Sequence, residues 1–224
     1  MTMTMTMADT TTPDTAALLT LAQWLSPAYP VGAFAYSHGL EWAVGVGDVT
    51  DSASFQAWIT AILQHGSGRN DAILLAAAYN APDDLENTGD TARAFATSRE
   101  RLMETELQGA AFIRTVNTTH DLNLPELCYP VAVGAAARAL GLPLDQTLPL
   151  YLHGFAANLT SAAIRLVPLG QTDGQATLAR LAPICQSIAS TAAAQTLDDL
   201  GGACILGDIA AMQHETQYTR LFRT

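Results

Sequence analysis

Apolar residues recur at helical spacing through nearly every segment of this 224-residue chain, and no stretch sustains the apolar-polar alternation of a strand. Leu18, Leu21, Ala22 and Leu25 form a first face, opened by Pro13 and Asp14 or Thr15 and closed by Ser26-Pro27. Phe55, Trp58, Ile59, Ile62 and Leu63 form another, with Asp51 or Ser52 as N-cap. Asn70-Asp71 starts a short helix that Pro82 ends. The longest predicted helix runs from about Thr91 to Val116, with Phe95, Leu102, Gly109 and Val116 spaced seven apart. Gly109 in its interior costs about 1 kcal/mol relative to Ala, which points to a close helix crossing there. After Tyr129-Pro130 an Ala-rich helix runs to a stop at Gly141, ahead of Leu142-Pro143. Leu148, Leu152, Phe155, Leu159 and Leu166 mark the next, and the polar His153, Asn158 and Arg165 make it a core helix rather than a membrane span. Two more are predicted, over about 175 to 197 with a kink at Pro183 and over about 199 to 213. The expected fold is all-α, a single compact helical domain of about eight to ten helices. A disordered leader over 1–14 precedes it, the helical domain covers 15–213, and a tail covers 214–224.

One apolar stretch breaks the period. Residues 26–41 carry Pro27 and Pro30, which fix their own φ and push Ser26 and Tyr29 toward extended conformations, so no helix runs through. An apolar segment held out of helix is either buried under its neighbours or kept open for a partner. The other irregular stretch is the tail. Tyr218, Arg220, Leu221, Phe222 and Arg223 crowd aromatic and Arg side chains where a chain end is usually polar and frayed. These residue types dominate interface hot spots, so the tail either docks on its own core or orders on a partner.

Composition narrows the functions. Charged residues are only 14% of the chain, so much of the surface is either Ala-rich and neutral or covered by other subunits, and the second option favours an assembly component. All ten basic residues are Arg, which excludes a Walker lysine, a Schiff base and a lysine general base. A net charge of -11 argues against nucleic acid and anionic membrane surfaces. Cys128, Cys185 and Cys204 read as buried thiols in a reducing compartment, and the Met-Thr repeat at the start lacks the parts of a secretory signal, so a cytoplasmic location is expected.

Candidate chemistry is thin. His38 and Glu41 could share a helix face, but no third ligand completes a metal site. His214-Glu215 matches the zincin helix for two residues only, since Tyr218 stands where the second His is required. His65, His120 and His153 are isolated. Gly45-Val46-Gly47 and Gly66-Ser67-Gly68 lack the setting of a phosphate loop. Glu100, Glu104 and Glu106 with Arg99 and Arg101 read as solvated pairs on a polar helix face. The expectation is a non-catalytic chain with no cofactor and no metal site.

The stretch from Ser26 to Glu41 closely resembles the SPALPVGAFSYSxGLE block of the urease accessory protein UreF family, and the tail resembles that family's HExQYSRLFRS ending. The likeness extends through Tyr129-Pro130 with Gly134, Asn158 with Ala162 to Leu166, and Pro168-Leu169-Gly170-Gln171 with Gly174-Gln175. Departures are small: Tyr29 for Leu, Ala35 for Ser, and Thr219 and Thr224 for Ser. The resemblance implies an all-helical accessory protein that dimerises, binds UreD (called UreH in some organisms) and recruits the nickel-carrying GTPase UreG to deliver nickel to apo-urease. Carried over by position, the partner-binding residues would be Ser26, Pro27, Tyr29, Pro30, Gly32, Phe34, Tyr36, Ser37, Gly39 and Glu41 with Tyr218, Arg220, Leu221, Phe222 and Arg223. The alternative within the same system is a GTPase-activating or gating regulator of UreG; a helical metalloenzyme is the remote one.

Overall fold

A computed structural model describes residues 15–223, and among these no strand occurs. Ten α-helices follow one another: α1 (Thr15–Trp24), α2 (Leu40–Gly45), α3 (Ser52–His65), α4 (Ser67–Asn80), α5 (Leu85–Ala94), α6 (Arg99–His120), α7 (Tyr129–Ala139), α8 (Leu144–Leu166), α9 (Gln171–Ala192) and α10 (Ile205–His214). Short 3-10 turns stand at Ala33–Ala35 and Leu197–Asp199. The all-α expectation and the number of helices are met. The expected leader lies outside the described residues.

Local chemistry sets most of the boundaries. Asp51 caps α3: its carboxylate accepts the Ser54 N–H at 2.8 Å while the Ser54 hydroxyl accepts the Asp51 N–H at 3.0 Å, a reciprocal capping box. Gly66 closes α3 and opens α4, so α4 starts at Ser67 and carries Asn70 and Asp71 inside it as buried residues instead of starting at them. The helix expected over 91–116 is two helices. Ser98 accepts the Arg101 N–H at 3.0 Å and nucleates α6, while α5 ends at Ala94 and leaves Phe95 exposed. The face of α1 also differs: Ala17, Leu21 and Trp24 point inward and Ala22 is exposed. Pro183 sits inside α9 without ending it, and α10 starts later than expected, at Ile205. Gly141, with φ 66, closes the turn after α7 as its position implied.

The core forms around α4 and α7, whose residues are buried on nearly every side. A Cβ on Gly134 would run into the Leu75 carbonyl, so these two helices cross at backbone distance. At Gly109 an added Cβ would strike the Leu127 carbonyl. The close approach there is real, but the partner is the segment leading into α7 and not a helix. The helices α8 and α9 pack against each other and against this pair, with Trp24, Phe112, Leu148, Leu152 and Leu159 fully buried. No described helix is long and apolar enough to cross a membrane.

Candidate functional site

The segment from Ser26 to Gly39 is a run of turns rather than an extended strand. The Tyr29 N–H donates to the Ser26 carbonyl at 2.9 Å, and the 3-10 turn at Ala33–Ala35 follows. Its residues divide by destination. Tyr29, Tyr36, Ser37, Gly39 and Glu41 are buried, Ser26 is half-buried, and Pro27, Pro30, Gly32 and Phe34 face solvent. Tyr29 packs on Phe112 with ring centroids 5.6 Å apart. His38 and Gly39 both have positive φ, 55 and 78, and a Cβ at Gly39 would lie 2.5 Å from the Ala211 nitrogen. Glycine is therefore required twice over, by the left-handed turn and by α10 lying across it. That turn aims His38 and Glu41 in different directions, so the two do not pair with each other.

Glu41 faces the tail. Its Oε1 accepts the Leu221 N–H at 2.7 Å and its Oε2 the Phe222 N–H at 2.9 Å. The Arg223 N–H donates to the Ala35 carbonyl at 2.7 Å, and Phe222 is only 4% exposed beneath the Arg165 guanidinium, which stands 4.4 Å above its ring. Arg220 reaches α6 through its Nη1, 2.6 Å from Glu100 Oε1. The other oxygen of Glu100 is 2.7 Å from His214 Nδ1, and His214 Nε2 is 3.3 Å from Glu41 Oε2. His214 is fully buried. The two irregular stretches of the sequence thus form one assembly, with the tail docked on the chain's own core.

One turn further along α6 a second ionic group continues the first. Glu104 Oε1 lies 3.0 Å from His38 Nε2 and 3.3 Å from Arg101 Nη1, and it accepts the Gln108 amide at 2.9 Å. Arg101 Nη2 donates to both oxygens of Asp71 at 2.8 and 2.6 Å, and the Tyr151 hydroxyl donates to Asp71 at 2.8 Å. Asp71, Glu100 and Glu104 are buried, so this part of α6 is not the solvated face that its spacing implied, whereas Arg99 and Glu106 are exposed as expected. Burial pushes the Glu104 carboxyl up, but the His38 and Arg101 charges outweigh it and hold it down at about 2. Burial and the Asp71 carboxylate drive the Tyr151 hydroxyl well above its ordinary value. A cavity of about 40 Å³ beside this group, lined by Tyr36, His38, Asp71, Arg101 and Glu104 among others, has room for a water or two.

The nitrogens of His214 point to carboxylates on opposite sides of its ring and cannot converge on one ion. Among the described residues no group of three or more His, Cys, Asp or Glu is placed to hold a metal. Cys128, Cys185 and Cys204 are buried free thiols, and burial raises Cys185 to about 11.

Outside the docked tail lies an apolar surface that the sequence reading missed. Ile205, Leu206, Ile209 and Met212 are exposed along α10, and Tyr218 and Leu221 are exposed on the tail beside it. A groove of about 540 Å³, lined by Ala57, Trp58 and Ala61 of α3 and by Leu206 of α10, runs alongside. The signal was present as an apolar spacing at 205, 206, 209 and 212, which on a core helix would be buried. Asp71, Glu100, Arg101, Glu104 and His214 were likewise legible only as polar residues on helices.

A UreF family model matches residues 49–182. The chain is 57% identical over 215 residues to a protein of Ruegeria pomeroyi named urease accessory protein UreF, covering 95% of this chain and 99% of that one. A protein of the same name from Roseobacter denitrificans is 58% identical over 212 residues, covering 94% and 96%. A third, from Rhodopseudomonas palustris, is 47% identical over 223 residues, covering 93% and 92%. With a family match over the central helices and near-full-length identity of this order, the chain belongs to the UreF family of urease accessory proteins.

Proposed function

We propose that this chain is a non-catalytic scaffold in urease maturation, which dimerises, binds UreD and recruits the GTPase UreG so that nickel reaches apo-urease. The observation that carries the reading is the exposure of large apolar side chains on α10 and on the docked tail that follows it: Ile205, Leu206, Ile209, Tyr218 and Leu221 are all exposed. Exposed aromatic and aliphatic side chains grouped in this way are expensive in water and are the material of interface centres. The buried members of the carried-over set, Tyr29, Tyr36, Ser37, Gly39, Glu41 and Phe222, would act by building the surface rather than by touching the partner.

A GTPase-activating role would require Arg220 or Arg223 to enter a partner's nucleotide site. Arg220 is held by Glu100 at 2.6 Å and the Arg223 backbone by Ala35, which supports gating over arginine-finger catalysis. The test is co-purification of UreD, UreG and urease with a Tyr218→Ala, Leu221→Ala double variant. Both residues are exposed, so the expected outcome is an unchanged melting temperature with loss of the complex and of urease activation. Normal assembly and activation would overturn the assignment of this surface.

A further inference from the structure

We propose that His214 is a proton-dependent latch for the tail: as an imidazolium it ties α6 to α2 and holds Glu41 in its grip on Leu221 and Phe222, and loss of its second ring proton releases them. The proposal rests on the docked tail itself, and bears on assembly through the partner surface proposed above.

A neutral imidazole donates from one nitrogen only, and an ionised carboxylate only accepts. Here both nitrogens face carboxylate oxygens, Glu100 at 2.7 Å and Glu41 at 3.3 Å, so both contacts are hydrogen bonds only when both nitrogens carry protons. The ring is fully buried, and no bulk water can replace a lost donor. The charges agree. Around His214, Glu41 and Glu100 bring two negative charges and Arg220 one positive. Within this group the balance closes when His214 is cationic, and uncompensated buried charge is costly.

The elements packed on α10 are α2, α6 and α3. From α2 comes Glu41, from α6 comes Glu100, and from the tail comes Arg220 behind Glu100. The single titratable side chain of α3, His65, is exposed. On α10 and just past it, Asp208 is half-buried, its carboxyl raised by burial and eased by Thr97, and Glu215 accepts the Arg99 N–H. His38 faces Glu104 instead.

Glu41 is where the proton acts. Its Oε2 serves both His214 Nε2 and the Phe222 N–H. With one proton left, the ring keeps the shorter bond to Glu100 and turns a lone pair toward Glu41. That carboxylate then stays buried against a like partial charge until it moves or takes up a proton, and either event weakens its hold on the tail amides.

The experiment uses the full chain with ¹⁵N-histidine, following the His214 ring nitrogens and the exchange of the Leu221 and Phe222 amides against pH, corrected for intrinsic exchange. The expected result is a doubly protonated ring while the tail is docked, with amide protection falling at least about tenfold in one step as the ring titrates. His214→Gln, which cannot donate to both carboxylates with the ring's geometry, is expected to show weak protection and no step, and His38→Gln to keep the step. A neutral ring with the tail docked, protection without a step, or the same step in His214→Gln would overturn the latch. If His214→Gln does not fold, the wild-type ring and amide curves decide: coincidence supports the latch and separation overturns it. Capture of UreD over the same pH range is read separately. Loss of capture with amide protection intact counts against the partner surface, and the amide curve alone judges the latch.

Discussion

At the scale of single residues, the buried charges are where loss of one partner costs most, because it leaves the other uncompensated. Glu104 is held near 2 against burial by His38 and Arg101, so its contribution is complete above the ordinary carboxylate value of 4.5 and is lost as pH falls from there toward 2. Thermal melts of the wild type should therefore drop between about pH 4.5 and about pH 2, and the drop should shrink in Glu104→Gln. Glu104→Ala leaves Arg101 and His38 with one carboxylate fewer and is expected to cost about 3 to 5 kcal/mol by denaturant titration. None of this was legible in the sequence. A Glu and an Arg three or four apart on a helix look alike whether water or Asp71 surrounds them, and Asp71 is 30 positions from Arg101. What decides is a contact between distant segments. Spacing cannot show it.

At the scale of elements, periodicity found nearly every helix because most helices here bury one face against the α4 and α7 pair. It failed where a side chain overrode it. The heptad through Phe95 joined α5 to α6, although the Ser98 hydroxyl had the position of an N-cap. The close approach at Gly109 was found, though against the segment before α7 and not a crossing helix, since only the absence of a Cβ mattered there. Gly109→Ala should destabilise the protein by several kcal/mol, well beyond the gain in helix propensity of about 1 kcal/mol, because the Leu127 backbone cannot move aside without shifting α7. The tail was located correctly from its aromatic and Arg residues, and of the two readings left open the structure shows it docked on its own core. Deleting 218–224 uncovers the Phe222 pocket and leaves the Glu41 carboxylate without both of its amide donors, so a loss of about 2 to 4 kcal/mol is expected by denaturant titration. Leu206→Asp on α10, by contrast, should stay within about 0.5 kcal/mol of wild type while weakening any partner that covers this face.

At the scale of the whole molecule, the ionic groups join α2, α4, α6, α8, α10 and the tail into one connected unit. The low fraction of charged residues and the exposed apolar side chains of α10 support the proposed dimer, and light scattering at micromolar concentration should give twice the chain's 23.6 kDa mass. A species of monomer mass would remove the dimer and leave the fold untouched.

The clasp between Glu41 and the tail also orders events in time. Leu221 and Glu41 are 180 positions apart, so this is among the most distant closures in the chain and carries a large loop entropy cost before it returns any contact. The helices can form earlier, and pairs such as α8 with α9 and α6 with α7 can pack through shorter closures. Refolding should accordingly run in two stages, with circular dichroism recovering first and protection of the Arg220 peptide bond from trypsin following later. In the interval the molecule is helical yet has no finished edge to offer, which makes the clasp a clock: a chain becomes presentable to others only after everything else about it is in place.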